Sequence, residues 1–204
     1  LLVTHNLKNV KPERTLQALY LDPLKERVKQ SGGRVYPNGP SVTLLIDFKT
    51  EAGPTYAALR DILVQYADML TKFTPDSTVE GSVTVILSGN SPLEQAKNEA
   101  VRYAAIDGRP GDLDGELNPN LVPLISENWR SLFKWWGDGK MPEEQHARLV
   151  SLVTKAHERG CRVRFWGTPE REDLWSLLRE TGVDLLNTDQ LPRLQKFFLQ
   201  DRKQ

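Results

Sequence analysis

Seven short apolar runs end in polar side chains, and those ends hold the residue types that acid–base and phosphate chemistry use. Leu1-Leu2-Val3-Thr4 runs into His5-Asn6, and Leu44-Leu45-Ile46 into Asp47-Phe48-Lys49. Ile86-Leu87 gives way to Ser88-Gly89-Asn90, Ala105-Ile106 to Asp107-Gly108-Arg109, and Leu124-Ile125 to Ser126-Glu127-Asn128. Arg164-Phe165 ends in Trp166, and Leu185-Leu186 in Asn187-Thr188-Asp189. One histidine, several carboxylates, Lys49 and Arg109 could thus meet in one pocket. That mix suits an anionic substrate, a divalent cation and proton transfer.

Polar residues after a strand also serve as turn formers and helix caps, and Ser88, Ser126 and Asp189 fit that role equally. Asp47 and Lys49 differ. They stand two apart within an apolar run and so face one side of a strand. Two charges there are costly to bury unless they pair or act on a ligand.

The elements that must position these residues alternate. β-branched runs at 1–5, 42–49, 83–88, 103–107, 121–126, 162–166 and 184–188 predict strands, several continuously apolar as in a sheet buried on both faces. Asp22-Pro23, Ser91-Pro92-Leu93-Glu94 and Thr168-Pro169 read as helix starts. Gly32-Gly33, Gly160 and Gly182 read as helix stops. Tyr56, Leu59, Leu63, Tyr66, Leu70 and Phe73 recur at helical spacing, and Leu191, Leu194, Phe197 and Phe198 line a last helix. Repeated strand–helix units make an α/β protein with a parallel sheet. Both an open sheet and a closed barrel satisfy the pattern. No glycine-rich nucleotide loop follows any strand, which weakens the open-sheet reading. No linker or repeat interrupts residues 1–204, which read as one domain. In a barrel, the C-terminal strand ends converge on one mouth. His5, Asp47, Lys49, Asp107, Arg109 and Trp166 are therefore expected to line one cavity.

Lys plus Arg balances Asp plus Glu at 27 each, so the net charge is zero and gives no support to a nucleic-acid partner. No apolar run reaches the roughly 18 residues of a transmembrane helix. Cys161 is the single cysteine and can form no internal disulfide. The chain opens in mid-strand without Met, so a secreted or extracytoplasmic protein is possible if a signal peptide lies upstream. His146 and His157 sit in polar helical surroundings and read as solvated.

Several segments resemble the phosphodiesterases of the glycerophosphodiester phosphodiesterase and phosphatidylinositol-specific phospholipase C type. Leu1-Leu2-Val3-Thr4-His5-Asn6 is similar to the segment that carries a catalytic histidine there, with Asn6 in place of the usual Asp. Ile46-Asp47-Phe48-Lys49 resembles a Glu-x-Lys strand, Arg164-Phe165-Trp166 a Trp-bearing seventh strand, and the run from Gly182 to Asp189 a closing Gly-Val-Asp…Thr-Asp motif. Pro12-Glu13-Arg14-Thr15-Leu16, Ile125-Ser126-Glu127-Asn128-Trp129 and Phe165-Trp166-Gly167-Thr168-Pro169 resemble a branch related to yeast altered-inheritance-of-mitochondria proteins.

The resemblance implies a (β/α)₈ TIM barrel, lacking the N-terminal strands that carry a second histidine and a Glu-x-Asp metal pair. It implies a metal-dependent phosphoric diester hydrolase using Mg²⁺ or Ca²⁺. His5 would be the general acid or base, since an imidazole titrates at about pH 6.5 when unperturbed. Asp47 would be a metal ligand, and Lys49 and Arg109 would grip phosphate oxygens. Asn90, Asp107 and Ser126 would contact a small phosphodiester or lipid head group, and Trp166 would wall its alcohol part. Trp129, Trp135 and Trp136 form an aromatic stretch, read either as a peripheral lipid contact or as rings packed on the barrel. The alternative to catalysis is an inactive barrel kept for binding or scaffolding.

Overall fold

A computed structural model describes residues 1–201. The chain packs as two compact units, Leu1–Asp107 and Gly108–Gln204.

In the first unit, residues 1–5 do not form the expected parallel strand. Val3 N–H donates to the Arg14 carbonyl at 2.8 Å, Leu16 N–H to that of Leu1 at 3.0 Å, and Leu2 bridges Thr15 antiparallel. A β-branched run pairs with whichever edge reaches it, and here that edge is local. A five-residue π-helix, Gln17–Leu21, runs directly into α1, Asp22–Gln30. Asp22 is therefore no N-cap: Leu21 before it is already helical, and the Asp22 carboxylate accepts a 2.6 Å hydrogen bond from the Tyr66 hydroxyl.

Strand β1, Val42–Phe48, leads to α2, Ala52–Leu63. Strands β2, Lys72–Phe73, and β3, Thr78–Val79, form a small hairpin. Then follow β4, Val83–Gly89, helix α3, Leu93–Lys97, and β5, Ala105–Gly108. β4 pairs in parallel with β1 on one side, Asp47 opposite Ser88, and with β5 on the other. Buried on both faces, β4 is apolar from Val83 through Leu87 apart from Thr84, whereas residues 42–46 of β1 stay half-buried. Of the six residues at helical spacing, all are buried, but α2 ends at Leu63 and Phe73 belongs to β2. Ser91 does not cap α3, whose N-cap position is Pro92.

The second unit continues the alternation: β6, Leu124–Asn128; α4, Trp129–Leu132; α5, Glu143–Glu158; β7, Arg162–Trp166; α6, Glu172–Glu180; β8, Leu185–Leu186; α7, Leu191–Asp201. β7 pairs in parallel with β6 and β8. Gly160 and Gly182 close α5 and α6 at φ +74° and +84°. Thr168 does not cap α6; its hydroxyl donates to the Asn187 carbonyl instead, and Arg171 holds the cap position.

The architecture is α/β with strands in parallel, and among the described residues six strands enter such pairings rather than a barrel's eight. The core of the second unit holds Trp129, Phe133 and Phe165, with ring centroids 4.3 to 5.9 Å apart. This corrects the lipid reading for two of three tryptophans. Trp129 is fully buried and donates its indole N–H to the Trp135 carbonyl at 2.9 Å; Trp135 is 9% exposed. Trp136 alone of the three is exposed, under the Arg130 guanidinium. Cys161 is buried with its thiol donating to the Val122 carbonyl, and burial pushes that thiol up to about 11. No helix among the described residues is long and apolar enough to cross a membrane.

Candidate functional site

In the first unit, Asp47, Ser88 and Asp107 occupy the ends of three adjacent parallel strands. Ser88 Oγ donates to Asp107 Oδ2 at 2.6 Å, and Asp107 is buried. Asp47 and Lys49 do face one side, as their spacing requires, and form an ion pair at 2.5 Å. The pair is not buried: the side chains are 48% and 55% exposed. Water screens a pair of that kind, and its net worth is about 0–1 kcal/mol. Asn90 turns to the loop after β1, its amide donating to the Thr50 carbonyl at 3.1 Å.

His5 stands exposed in the bend after the antiparallel contact. Asn6, found where the resemblance leads one to expect Asp, has a local task. Its side-chain oxygen accepts the Lys8 N–H at 3.0 Å, capping the short helix Leu7–Asn9.

The Asp47 carboxylate lies over Gly89, whose backbone is left-handed at φ +72°. A Cβ there would collide with Asp47 Oδ1 and approach the Phe48 carbonyl to 2.5 Å. Gly89→Ala is therefore expected to cost about 1–3 kcal/mol through backbone strain and the displaced carboxylate. Urea denaturation measures this, with Gly111→Ala as the control, since a Cβ at Gly111 meets nothing within 4 Å. Equal midpoints for the two variants would remove the cradle.

In the second unit, exposure alternates along β7. Arg162, Arg164 and Trp166 are half-buried while Val163 and Phe165 are buried. Ser126 and Asn128 of β6 stand opposite Arg164 and Trp166 and share their face. Ser126 is fully buried, and its hydroxyl makes no hydrogen bond to the protein. The Arg109 guanidinium lies 5.2 Å from the Trp166 ring, and that of Arg164 lies 5.9 Å from the same ring. Arg109 is fixed at its backbone, where its N–H donates to the Asp112 carboxylate at 2.7 Å. Arg164 Nη2 donates to Asn187 Oδ1 at 2.7 Å. Arg164 and Asn187 were not among the expected site residues, although the every-second-residue spacing of Arg162, Arg164 and Trp166 is visible in the sequence.

The remaining histidines lie on α5. His146 is exposed, and His157 Nε2 contacts Asp184 Oδ2 at 2.9 Å, an oxygen that also accepts the Val163 N–H. An open cleft of about 530 Å³ lies elsewhere, between α1 and the first residues of β1. It is lined by Leu19, Tyr20, Pro23, Leu24, Val42 and Leu44, among others, at the end of the strand away from Asp47. Its walls are largely apolar, and we assign it no chemistry.

A divalent cation takes six to eight oxygen ligands, several from carboxylates. Among the described residues no group of three His, Cys, Asp or Glu side chains could hold a metal ion, and Asp47 is neutralised by Lys49. The residues present do not by themselves fit a cation site.

Residues 162–192 match the glycerophosphoryl diester phosphodiesterase family. Over 97% of this chain, altered inheritance of mitochondria protein 6 of Eremothecium gossypii is 31% identical, and the chain spans 59% of that protein. Its homolog from Arthroderma benhamiae is 31% identical, with 70% of its length covered. The Zygosaccharomyces rouxii protein is 30% identical, with 58% covered. No solved structure matches the chain.

Proposed function

Since the chain belongs to the altered inheritance of mitochondria protein 6 family, and its residues 162–192 match phosphodiesterases, we infer that it binds and cleaves phosphoric diesters. The observation that carries this reading is Arg109 stacked on Trp166 at 5.2 Å. A guanidinium grips phosphate oxygens in a fork, and an indole face beside it takes the alcohol part of the same ester.

Taken by itself, the first unit offers His5 as a proton carrier for ester cleavage and Lys49 as a point charge for a phosphate. Asp47 would hold Lys49 in place. Asp107 and Ser88 form one hydrogen-bonded pair that can orient a hydroxyl. Asn90 in the first unit and Ser126 in the second would each serve as a lesser polar contact within its own unit. No step is routed through a metal. Trp136, the exposed member of the aromatic stretch, is the remaining candidate for a peripheral lipid contact.

A second reading has its own observation. The Asp47–Lys49 pair satisfies both charges within the chain, as suits a barrel retained for binding rather than catalysis. One experiment separates the two: release of p-nitrophenol from bis-p-nitrophenyl phosphate, and of choline from glycerophosphocholine, in Mg²⁺, Ca²⁺ or chelator. Turnover in any condition supports the hydrolase, and cation dependence would require ligands beyond Asp47. No turnover in all of them leaves the binding reading.

A further inference from the structure

The segment between α4 and α5, residues 133–142, is tied down along its length. Gln145 Oε1 accepts the N–H groups of Lys134 and Trp135 at 2.8 and 3.1 Å. The Trp135 carbonyl takes the indole N–H of buried Trp129, and the Trp135 indole donates to the Asp138 carbonyl at 3.1 Å. Arg171 holds the Asp138 carboxylate at 2.6 Å. Between these anchors the chain turns one large ring outward: Trp136 is exposed while Trp135 and Gly137 on either side are buried.

The charges on this stretch are one-sided. The Arg130 guanidinium lies 4.4 Å from the Trp136 ring, and Lys134 and Lys140 are exposed on the same segment. Among the described residues none of these three cations has a carboxylate within ion-pair distance. The one acid of the segment, Asp138, is neutralised by Arg171. Glu143 and Glu144 follow in the first turn of α5, where the positive end of the helix offsets them. The stack of Arg130 on the ring stabilises weakly at an exposed site. Otherwise the ring leaves apolar area in water and the like charges repel, so the arrangement does little for the fold. An anionic bilayer complements both features. An indole settles at the head-group level, and lysine and arginine beside it meet the anionic groups there. A segment ordered before contact loses little entropy on docking.

We propose that Trp136, flanked by Arg130, Lys134 and Lys140, docks the second unit onto an anionic lipid surface. The segment follows the C-terminal end of β6, where Asn128 stands opposite Trp166, so docking brings that strand end towards lipid. The proposal rests on the lipid-contact reading of Trp136 and not on the diester chemistry.

The test is co-sedimentation of the full chain with phosphatidylcholine vesicles, with and without phosphatidylserine. Binding is expected to be at least about tenfold tighter with phosphatidylserine and to weaken as salt rises. Trp136→Ala is expected to lose about tenfold. Lys134→Gln with Lys140→Gln is expected to lose about 10–30-fold, roughly fivefold for each cation near a charged surface. Lys196→Gln on α7 is the control, expected within about twofold. Tryptophan quenching by acyl-brominated lipid is expected in the parent chain and lost in Trp136→Ala, which a structural role would not produce. Should Trp136→Ala unfold early in urea, the lysine variant carries the test. Four results overturn the proposal: no binding to anionic vesicles, equal binding to both vesicle types, unchanged binding in the lysine variant, or polyglutamate bound as tightly as vesicles. The last would make the stretch a surface for acidic polypeptides. Turnover of bis-p-nitrophenyl phosphate in solution, measured in parallel, is expected to be the same in all variants. Vesicle binding by a chain that cleaves no diester upholds the proposal and removes the hydrolase reading alone.

Discussion

Replacing His5 with alanine is expected to lower turnover of bis-p-nitrophenyl phosphate by about 10²–10⁴-fold, the share that general acid–base catalysis usually contributes. The chain has three histidines, and two of them lie on α5. His157 is engaged with Asp184, and His146 points to solvent, so alanine at either is expected to leave turnover within about threefold. His5 differs in its anchoring. The backbone bonds from Val3 to Arg14 and from Leu16 to Leu1 hold the segment just before it, and the Thr4 hydroxyl donates to the Asn6 carbonyl at 2.7 Å just after. The ring is exposed between two fixed points, as a group that exchanges protons with a substrate must be. A proton carrier lost to alanine is partly replaced by added imidazole, whereas a structural residue is not. Rescue by imidazole, with an unchanged denaturation midpoint, is the expected signature. Turnover within threefold of the parent enzyme in His5→Ala would sink the assignment. Rescue by Mg²⁺ or Ca²⁺ instead of imidazole would make His5 a ligand.

Six of the seven expected strands were legible because their apolar runs are buried by neighbours in register, as between Val42–Phe48 and Val83–Gly89. The first was not, since residues 1–5 have the same composition but pair antiparallel with a segment only a dozen residues on. Local propensity names a strand, not its partner. The helix starts failed for a related reason. Asp22 follows a π-turn that is already helical, and Thr168 spends its hydroxyl on Asn187, nineteen residues away, where a cap would spend it locally. The spacing from Tyr56 to Phe73 predicted burial correctly and helix only as far as Tyr66, because the chain stays against the core after α2 and its short helical continuation end. At the candidate site, Asp47 and Lys49 were legible as a same-face pair because a strand has a period of two. Their exposure was not, for among the described residues β1 has a sheet neighbour on one side. Arg164 could have been found by the same period; Asn187 could not, because its part depends on loops clamped by Glu170.

Trp129→Ala is expected to destabilise the protein by about 3–5 kcal/mol, the range for emptying a large aromatic site in a core. The ring is fully buried, with Phe133 at 4.3 Å and Phe165 edge-on at 5.5 Å. The substitution opens a void that two rings on different elements, α4's flank and β7, would have to close together, so little relaxation is available. It also strips the Trp135 carbonyl of its 2.9 Å donor. Trp129→Phe separates the two contributions: it keeps most of the apolar volume and loses the N–H, for a cost of about 1–3 kcal/mol. Trp136 provides the contrast within the same stretch. At 37% exposure it is the least buried of the three, and Trp136→Ala is expected to cost about 1 kcal/mol, well below Trp129→Ala. A lipid-contacting stretch would behave the other way round, with small stability effects at all its tryptophans and lost vesicle binding at each. Urea unfolding followed by circular dichroism, with co-sedimentation on anionic vesicles, reads both quantities from the same variants. If Trp129→Ala unfolds at the parent midpoint and sediments less with vesicles, Trp129 is a membrane contact and the aromatic core described for the second unit is wrong.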